Sequence, residues 1–236
     1  NWTDRDFLPE IDRAVSRAYE TPKNSSFCIP HSPFPKWPDF NREAWQRRLS
    51  TPVHFSNTPL QIDPASVIDN LFPNNPLICA AIDTRSAQTH YRESWRGKEQ
   101  ALQFIVANPM TTESGLNQSG RISSRCLDNA TKRRTYQVIE FDRGSPDQQA
   151  AILSSLSTAW TPLVLVVWSG GKSLHGWFHV RRLSEYAKLR FFRHAVFLGA
   201  DPSLWDPSKL VRMPGGMRMG GETQHIFHFN PNPFHE

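Results

Sequence analysis

"PLVLVVWSGGKSLHGWFHV", residues 162–180, sets two apolar runs on either side of a Gly-Gly pair. Gly171-Lys172-Ser173 matches the tail of a phosphate-binding loop, whose motif is Gly, four residues, then Gly-Lys-Ser/Thr at the mouth of a helix. Counting back, the leading glycine would stand at 166, and that position is Val166, inside the apolar run. The residues that follow, Ser173 to Val180, mix aromatic and β-branched side chains with an early glycine, which favours a strand over a helix. The stretch is therefore expected as strand, Gly-Gly turn, strand. Side chains alternate between faces along a strand, so Ser173 and His175 share one face.

Working outward, "RRTYQVIEFD" (133–142) is expected as the strand before this hairpin, and a helix capped by Ser145 or Asp147 should run through Trp160. "SEYAKLRFFRHAVFLGA" (184–200) has a strong helical pattern, with Ser184 as N-cap and Leu189, Phe192, Val196 and Phe197 on one apolar stripe. "KLVRMPGG" (209–216) and "TQHIFHF" (223–229) close the chain as strands. The order β-α-β-β-α-β from 135 to 229 is the split βαβ arrangement of a ferredoxin-like or RNA-recognition-motif-like unit. Upstream, residues 5–20 have helical spacing, 21–40 are proline-rich and expected to be extended, and short helices are expected at "NREAWQRRLS" (41–50) and 64–72. "PLICAAID" (76–83) and "ALQFIVANP" (101–109) read as buried strands, and 111–132 as a long loop with one helical turn. The fold class is α+β.

The chain has 236 residues and a formal net charge of +5, a moderately basic balance that suits a polyanionic partner. Cys28, Cys79 and Cys126 are scattered, so they form neither a disulfide framework nor a paired-cysteine zinc site. With no signal peptide and no long apolar run, the expectation is a soluble, cytoplasmic protein without a membrane partner. The opening "NWTDRDF" lacks a methionine and suggests a piece of a longer protein.

"QVIEFDRG" (137–144) places Glu140 and Asp142 two apart at the end of an apolar strand, so both carboxylates leave the same face. Like charges that close repel unless a cation lies between them. Carboxylates converging on an open site suit Mg2+ or Mn2+, hard ions that take oxygen ligands and keep positions for substrate phosphates. Lys172 and Ser173 lie in a turn whose backbone N–H groups can also face phosphate, and the Arg212 guanidinium fits phosphate oxygens. "WDPSKLVRMPGG" (205–216) adds a lone carboxylate, Asp206, before a proline; alone it is a turn signal.

Taken together, acid-x-acid on one strand, Ser-x-His on a hairpin and a later lone Asp resemble the archaeo-eukaryotic primase superfamily, in particular the bacterial and mobile-element primase–polymerases. The resemblance covers roughly residues 100–230. It implies a catalytic domain over 76–236 behind a helical or irregular extension, 1–75, with an N-terminal α/β part and a ferredoxin-like part forming one active cleft. It implies that Glu140, Asp142 and Asp206 hold two catalytic divalent ions, Mg2+ or Mn2+. Ser169, Lys172, Ser173, His175 and Arg212 would bind the nucleotide, with Ser173 and His175 at its triphosphate. The implied activity is template-dependent addition of NTPs or dNTPs to a 3′-hydroxyl. The partners would be single-stranded DNA template and primer, with a helicase or other replication domain elsewhere in a bacterial, plasmid or phage protein. Glu140 stands where Asp is frequent in the family, and either carboxylate can ligate a metal. The Cys/His zinc element of some relatives has no counterpart here, so no zinc is expected.

"HYRESWRGK" (90–98) and "KRRTY" (132–136) interleave cations with aromatics, as single-strand binders do, which makes Arg92, Trp95, Arg96, Lys98, Arg133 and Arg134 candidate template contacts. His225, His228 and His235 suggest a metal set, but Ile226 and Phe227 between the first two, and Phe229 after, fit a strand end. A metal-dependent nuclease could use the same carboxylates but has no need of Ser-x-His beside a Lys-bearing turn. A nickase of the His-hydrophobic-His class lacks its motif here, and a non-catalytic nucleic-acid-binding module would not need five intact motif positions.

Overall fold

The computed structural model describes residues 36–234. The expected helix over 5–20, most of the proline-rich connection, Cys28 and His235 lie outside the described residues. The fold is α+β, built on two four-stranded antiparallel sheets. Two short helices come first. These are α1 (Arg42–Arg48), whose N-cap Asn41 accepts from the Ala44 amide, and α2 (Pro64–Leu71), capped by Asp63 with proline in its first turn. The first sheet joins β1 (Leu77–Ala81), β2 (Gln88–Tyr91), β3 (Phe104–Val106) and, from much later, β9 (Leu210–Arg212), in the order β2-β1-β3-β9. The 111–132 stretch carries a two-stranded ribbon, β4 (Gly115–Leu116) with β5 (Ile122–Ser123), in place of the expected helical turn. The second sheet holds β6 (Tyr136–Glu140), β7 (Leu163–Trp168), β8 (Leu174–His179) and β10 (Ile226–Phe229), in the order β10-β7-β8-β6.

Helix α3 (Pro146–Leu156) starts in a full capping box, in which Ser145 and Gln148 satisfy each other's backbone amides, and it stops four residues before Trp160. Helix α4 (Glu185–Phe197) is capped by Ser184, as its sequence indicates. Strands β6 and β7 are both antiparallel to β8, so they run parallel to each other with β8 between them: the split βαβ unit is present. The closing strands depart from the ferredoxin-like order. There the strand after the second helix pairs with the first strand; here β9 leaves for the other sheet, and β10 pairs with β7. The free edge of β6 is already covered. Phe141 bridges Ala200, the Asp201 amide donates to the Glu140 carbonyl at 3.0 Å, and the Gln137 side chain donates to the Leu204 carbonyl.

One face of the second sheet is covered by α3 and α4. Phe178 meets Phe191 of α4 at 5.2 Å between ring centroids. A Cβ at Gly176 would stand 2.6 Å from Leu153 of α3, so this strand position needs glycine for the helix to approach. On the other face, Tyr136 packs against Trp177 and against Phe72 at the end of α2, and its hydroxyl donates to the Leu71 carbonyl. The Asn108 side chain, just past β3, donates to the Tyr136 carbonyl and accepts from the Thr135 and Tyr136 amides. These bonds join the first sheet to the start of β6, and Glu140 stands at the strand's other end. Ala44, Trp45, Val67 and Ile68 belong to the same apolar cluster as both sheets. No helix among the described residues is long and apolar enough to cross a membrane.

Candidate active site

Register across β6 and β8 sets Glu140 directly opposite His175. Two residues back, Ser173 lies on the same face, and its hydroxyl donates to Glu140 Oε1 at 2.8 Å. Ser169 closes the turn: its amide donates to the Ser173 carbonyl, while its hydroxyl accepts from the Ser173 amide. Between them Gly170 has φ +74°, a conformation that suits glycine. Lys172 leaves this turn toward solvent and pairs with Asp142 Oδ1 at 2.8 Å, both side chains being exposed. Sequence spacing therefore locates Glu140, Asp142, Ser169, Lys172, Ser173 and His175 in one cluster. Arg212 joins it from β9 of the other sheet, bonded to Gln103 and lying over the Phe104 ring.

Burial pushes the Glu140 carboxyl above its ordinary range, against the pull of the Ser173 hydroxyl; Asp142 and then Asp201 raise it further, and Arg212 opposes them. His175 is held down to about 3, first by burial and then by the Arg212 charge, with Asp142 working the other way. Both ring nitrogens are buried without a hydrogen-bond partner; Nε2 lies 3.4 Å from Glu140 Oε1, but not in hydrogen-bond geometry. An unpartnered neutral imidazole has one N–H to give and one lone pair to accept with, which suits an incoming polar ligand. Two consequences follow from a depressed base. The folded protein refuses a proton that the unfolded chain accepts below about 6.5, so stability is lost as pH falls from there toward about 3. The His175 ring resonances should also stay unshifted from pH 8 to 5 in an NMR titration; a midpoint near 6.5 would place the ring in water.

Two site residues were not found by sequence reasoning. Arg218 lies across the Gly-Gly turn: a Cβ at Gly170 would stand 2.9 Å from its Cδ, and one at Gly171 2.6 Å from its Nη1. Its charge and burial together lower the Arg212 pKa, burial being the larger cause. The signal was the run "GGMRMGGE" (215–222), a glycine-flanked loop around a single cation. The other is Asp201, whose amide bonds the Glu140 carbonyl and whose charge raises the Glu140 carboxyl. Its carboxylate also caps the 3-10 turn Pro202–Trp205 through the Ser203 amide and hydroxyl.

Asp206 makes other contacts. It accepts from the Ser208 amide and hydroxyl and lines a small recess with Arg134, Tyr136 and Gln137. That recess runs along β6 from Tyr136 to Val138 and does not include Glu140. Besides Asp142, the carboxylate whose charge Glu140 feels is Asp201.

Several expected template contacts are corrected. Arg92 is buried and pairs with Asp69 at 2.9 Å and Glu99 at 2.7 Å. Trp95 is buried with its indole N–H on the Ile78 carbonyl. Arg134 is buried against the Trp205 ring and bonds Gln137 and the Trp205 carbonyl, and burial holds its pKa down to about 10. Arg96 is exposed but pairs with Asp69 and Glu93, and Lys98 and Arg133 are exposed as well. Arg92, Trp95 and Arg134 are fold interior because Asp69, Ile78 and Trp205, distant in sequence, meet them there.

Among the described residues no three His, Cys, Asp or Glu side chains converge closely enough to enclose a metal. Glu140 and Asp142 leave the end of β6 together, and Asp201 acts on Glu140 through its charge; carboxylates so few suit only an open site, in which a hard ion would take most of its shell from water and substrate phosphate. No protein-family model, curated protein or solved structure matches the chain.

Proposed function

We propose that this chain is the catalytic core of a template-dependent nucleotidyltransferase, a primase–polymerase of the archaeo-eukaryotic primase type. One observation carries the reading: a Ser169–Ser173 turn bearing Lys172, overlain by Arg218 and close to Arg212, stands directly beside Glu140 and Asp142. A cationic turn next to an acidic cluster is what triphosphate binding and divalent-ion binding require of neighbouring surfaces. Glu140, Asp142 and Asp201 would hold Mg2+ or Mn2+, which would supply a lowered pKa for the attacking 3′-hydroxyl and charge neutralisation at the phosphates. The protein's own groups orient the nucleotide. Ser173 holds Glu140 in place, neutral His175 donates to a phosphate oxygen, and Lys172, Arg212 and Arg218 balance charge that grows in the transition state. The acids and the turn stand on adjacent strands of one sheet and Arg212 comes from the other, so the fold sets their spacing.

The test is incubation with labelled nucleotides, Mg2+ or Mn2+ and a single-stranded template, with and without a primer, followed by sizing of the products. Extended products are expected, lost in EDTA and regained with excess metal, while the melting temperature barely moves in EDTA. Shortened template without incorporation would indicate a nuclease. Lys172→Ala and His175→Ala should weaken nucleotide affinity in a fluorescent titration more than template affinity; the reverse order would make the turn a nucleic-acid contact.

A further inference from the structure

We infer that Gln149 of α3 is a positioning residue of the site: its buried side-chain amide ties the exit of the acid-bearing strand to the Lys172–Ser173 turn, and so sets the spacing between the carboxylates and the phosphate-facing groups. This rests on the nucleotidyltransferase reading. Gln149 is 1% exposed and sits among the buried Ala150, Ile152, Leu153 and Leu156 of the same helix. A buried amide costs stability unless its donors and acceptor are met. Here both ends are met, and every partner is backbone. Nε2 donates to the Arg143 carbonyl at 3.1 Å, the Gly144 carbonyl at 3.3 Å and the Lys172 carbonyl at 3.1 Å, sharing its hydrogens among the three oxygens. Oε1 accepts from the Leu174 amide at 2.8 Å. The reverse orientation would set the side-chain oxygen against three carbonyls, so the amide has a single way to sit.

The join stands where two strands part. Antiparallel pairing of β6 with β8 ends at Glu140 opposite His175. The next residue, Phe141, bridges Ala200 on the other edge of β6. On β8, the Ser173 carbonyl accepts from the Ser169 amide, toward β7. Backbone groups alternate sides along a strand, so the Leu174 amide points the other way, to the side that β6 has left. Gln149 meets it there. The same side chain holds Lys172 on one side of the gap and the two residues after Asp142 on the other. Ser173 lies between Lys172 and Leu174, and Asp142 directly precedes Arg143, so both neighbours of the gap are fixed to one buried group. The Lys172–Asp142 ion pair spans the same gap, but it is exposed and screened by water.

Phosphoryl transfer depends on positioning, and a misplacement of about 1 Å can cost on the order of a hundred-fold in rate. Loosening Gln149 leaves each half of the site intact. The Ser169–Ser173 bonds still shape the turn, and Glu140 still stands in register with His175. The fault should therefore lie in the rate of incorporation and not in nucleotide binding.

The test pairs incorporation at saturating nucleotide with nucleotide titration, melting curves and amide hydrogen exchange. Gln149→Met keeps length and bulk and loses every one of these bonds; its incorporation rate should fall on the order of 10- to 100-fold, while nucleotide affinity changes far less. Gln149→Asn, a shorter amide that cannot reach both sides, should show the same split with a smaller loss of melting temperature. Asn129→Leu is the control for lost stability. Asn129 is a buried amide of the same kind, bonded to the Thr112 and Ser124 carbonyls and the Cys126 amide in the 111–130 stretch, and the folded variant should keep the wild-type rate. The Leu174 amide should exchange slowly in the wild type and faster in both Gln149 variants, while the Trp168 and Gly176 amides keep their protection. A wild-type rate in a folded Gln149 variant, rate and nucleotide affinity falling together, or an equal loss in Asn129→Leu would overturn the assignment. Fast Leu174 exchange in the wild type would do the same without any variant having to fold. No incorporation by the wild type would sink the polymerase reading itself, and the exchange rates would then decide the join alone.

Discussion

Glu140→Gln should abolish nucleotide incorporation and make the protein harder to unfold at neutral pH. The first effect follows from charge. Removing one carboxylate that faces a divalent ion takes away several kcal/mol of transition-state stabilisation, on the order of a thousand-fold or more in rate. The second follows from burial, which raises the Glu140 carboxyl, with Asp142 and Asp201 adding to it. An acid whose folded pKa lies above its unfolded value holds its proton more tightly when folded. Its contribution favours folding at low pH and is lost as pH rises through the folded pKa, so at neutral pH the buried carboxylate works against stability. Glutamine keeps the shape and an oxygen for the Ser173 hydroxyl, 2.8 Å away in the native protein. The gain should therefore be present at pH 8 and vanish by pH 4, and each kcal/mol is worth about 2–4 °C in a chain of this size. Asp142→Asn should share the loss of activity with little change in stability, because its pair with Lys172 is exposed and screened by water. Single-turnover incorporation and melting curves at both pH values check this. Near-normal incorporation by either variant, or a Glu140→Gln protein less stable than wild type at pH 8, would remove the assignment.

Elements whose cause lies within a few residues were legible in the sequence. The 162–180 hairpin, the strand ending at Glu140 and the Ser184-capped helix each follow from local pattern, and the strand period puts Ser173, His175 and Glu140 on one face. What failed depended on distant partners. "KLVRMPGG" and "TQHIFHF" read equally well as either closing strand of a ferredoxin-like sheet. Only the occupation of the β6 edge by residues 200–205 sends the first of them to β3. Arg92 looked like a surface cation because Asp69 and Glu99, which neutralise it, stand 23 residues before it and 7 after. Arg218 was invisible for a related reason: its partner is the backbone of a turn 47 residues earlier, and an arginine resting on glycine leaves no pattern.

Asp201 and Asp206 are the sharpest instance, because their local sequences are twins: each precedes a proline, and each has a serine two residues on that it caps. Asparagine at either position keeps those caps, since Asn and Asp are equivalent in such turns, and removes only the charge. The two substitutions should then separate cleanly. Asp201→Asn takes away a negative charge that Glu140 feels, so incorporation should fall on the order of a hundred-fold or more while melting is nearly unchanged. Asp206→Asn takes away a charge that supports buried Arg134 at the other end of β6, so incorporation should stay within a few-fold of wild type. The cost should appear in stability instead, on the order of 1 kcal/mol and so a melting point lower by about 2–4 °C. Incorporation rates and melting curves on the two proteins decide it. Loss of activity in the Asp206 variant with normal activity in the Asp201 variant would return the third carboxylate to Asp206, and would mean that the 200–206 segment rearranges when nucleotide and metal bind.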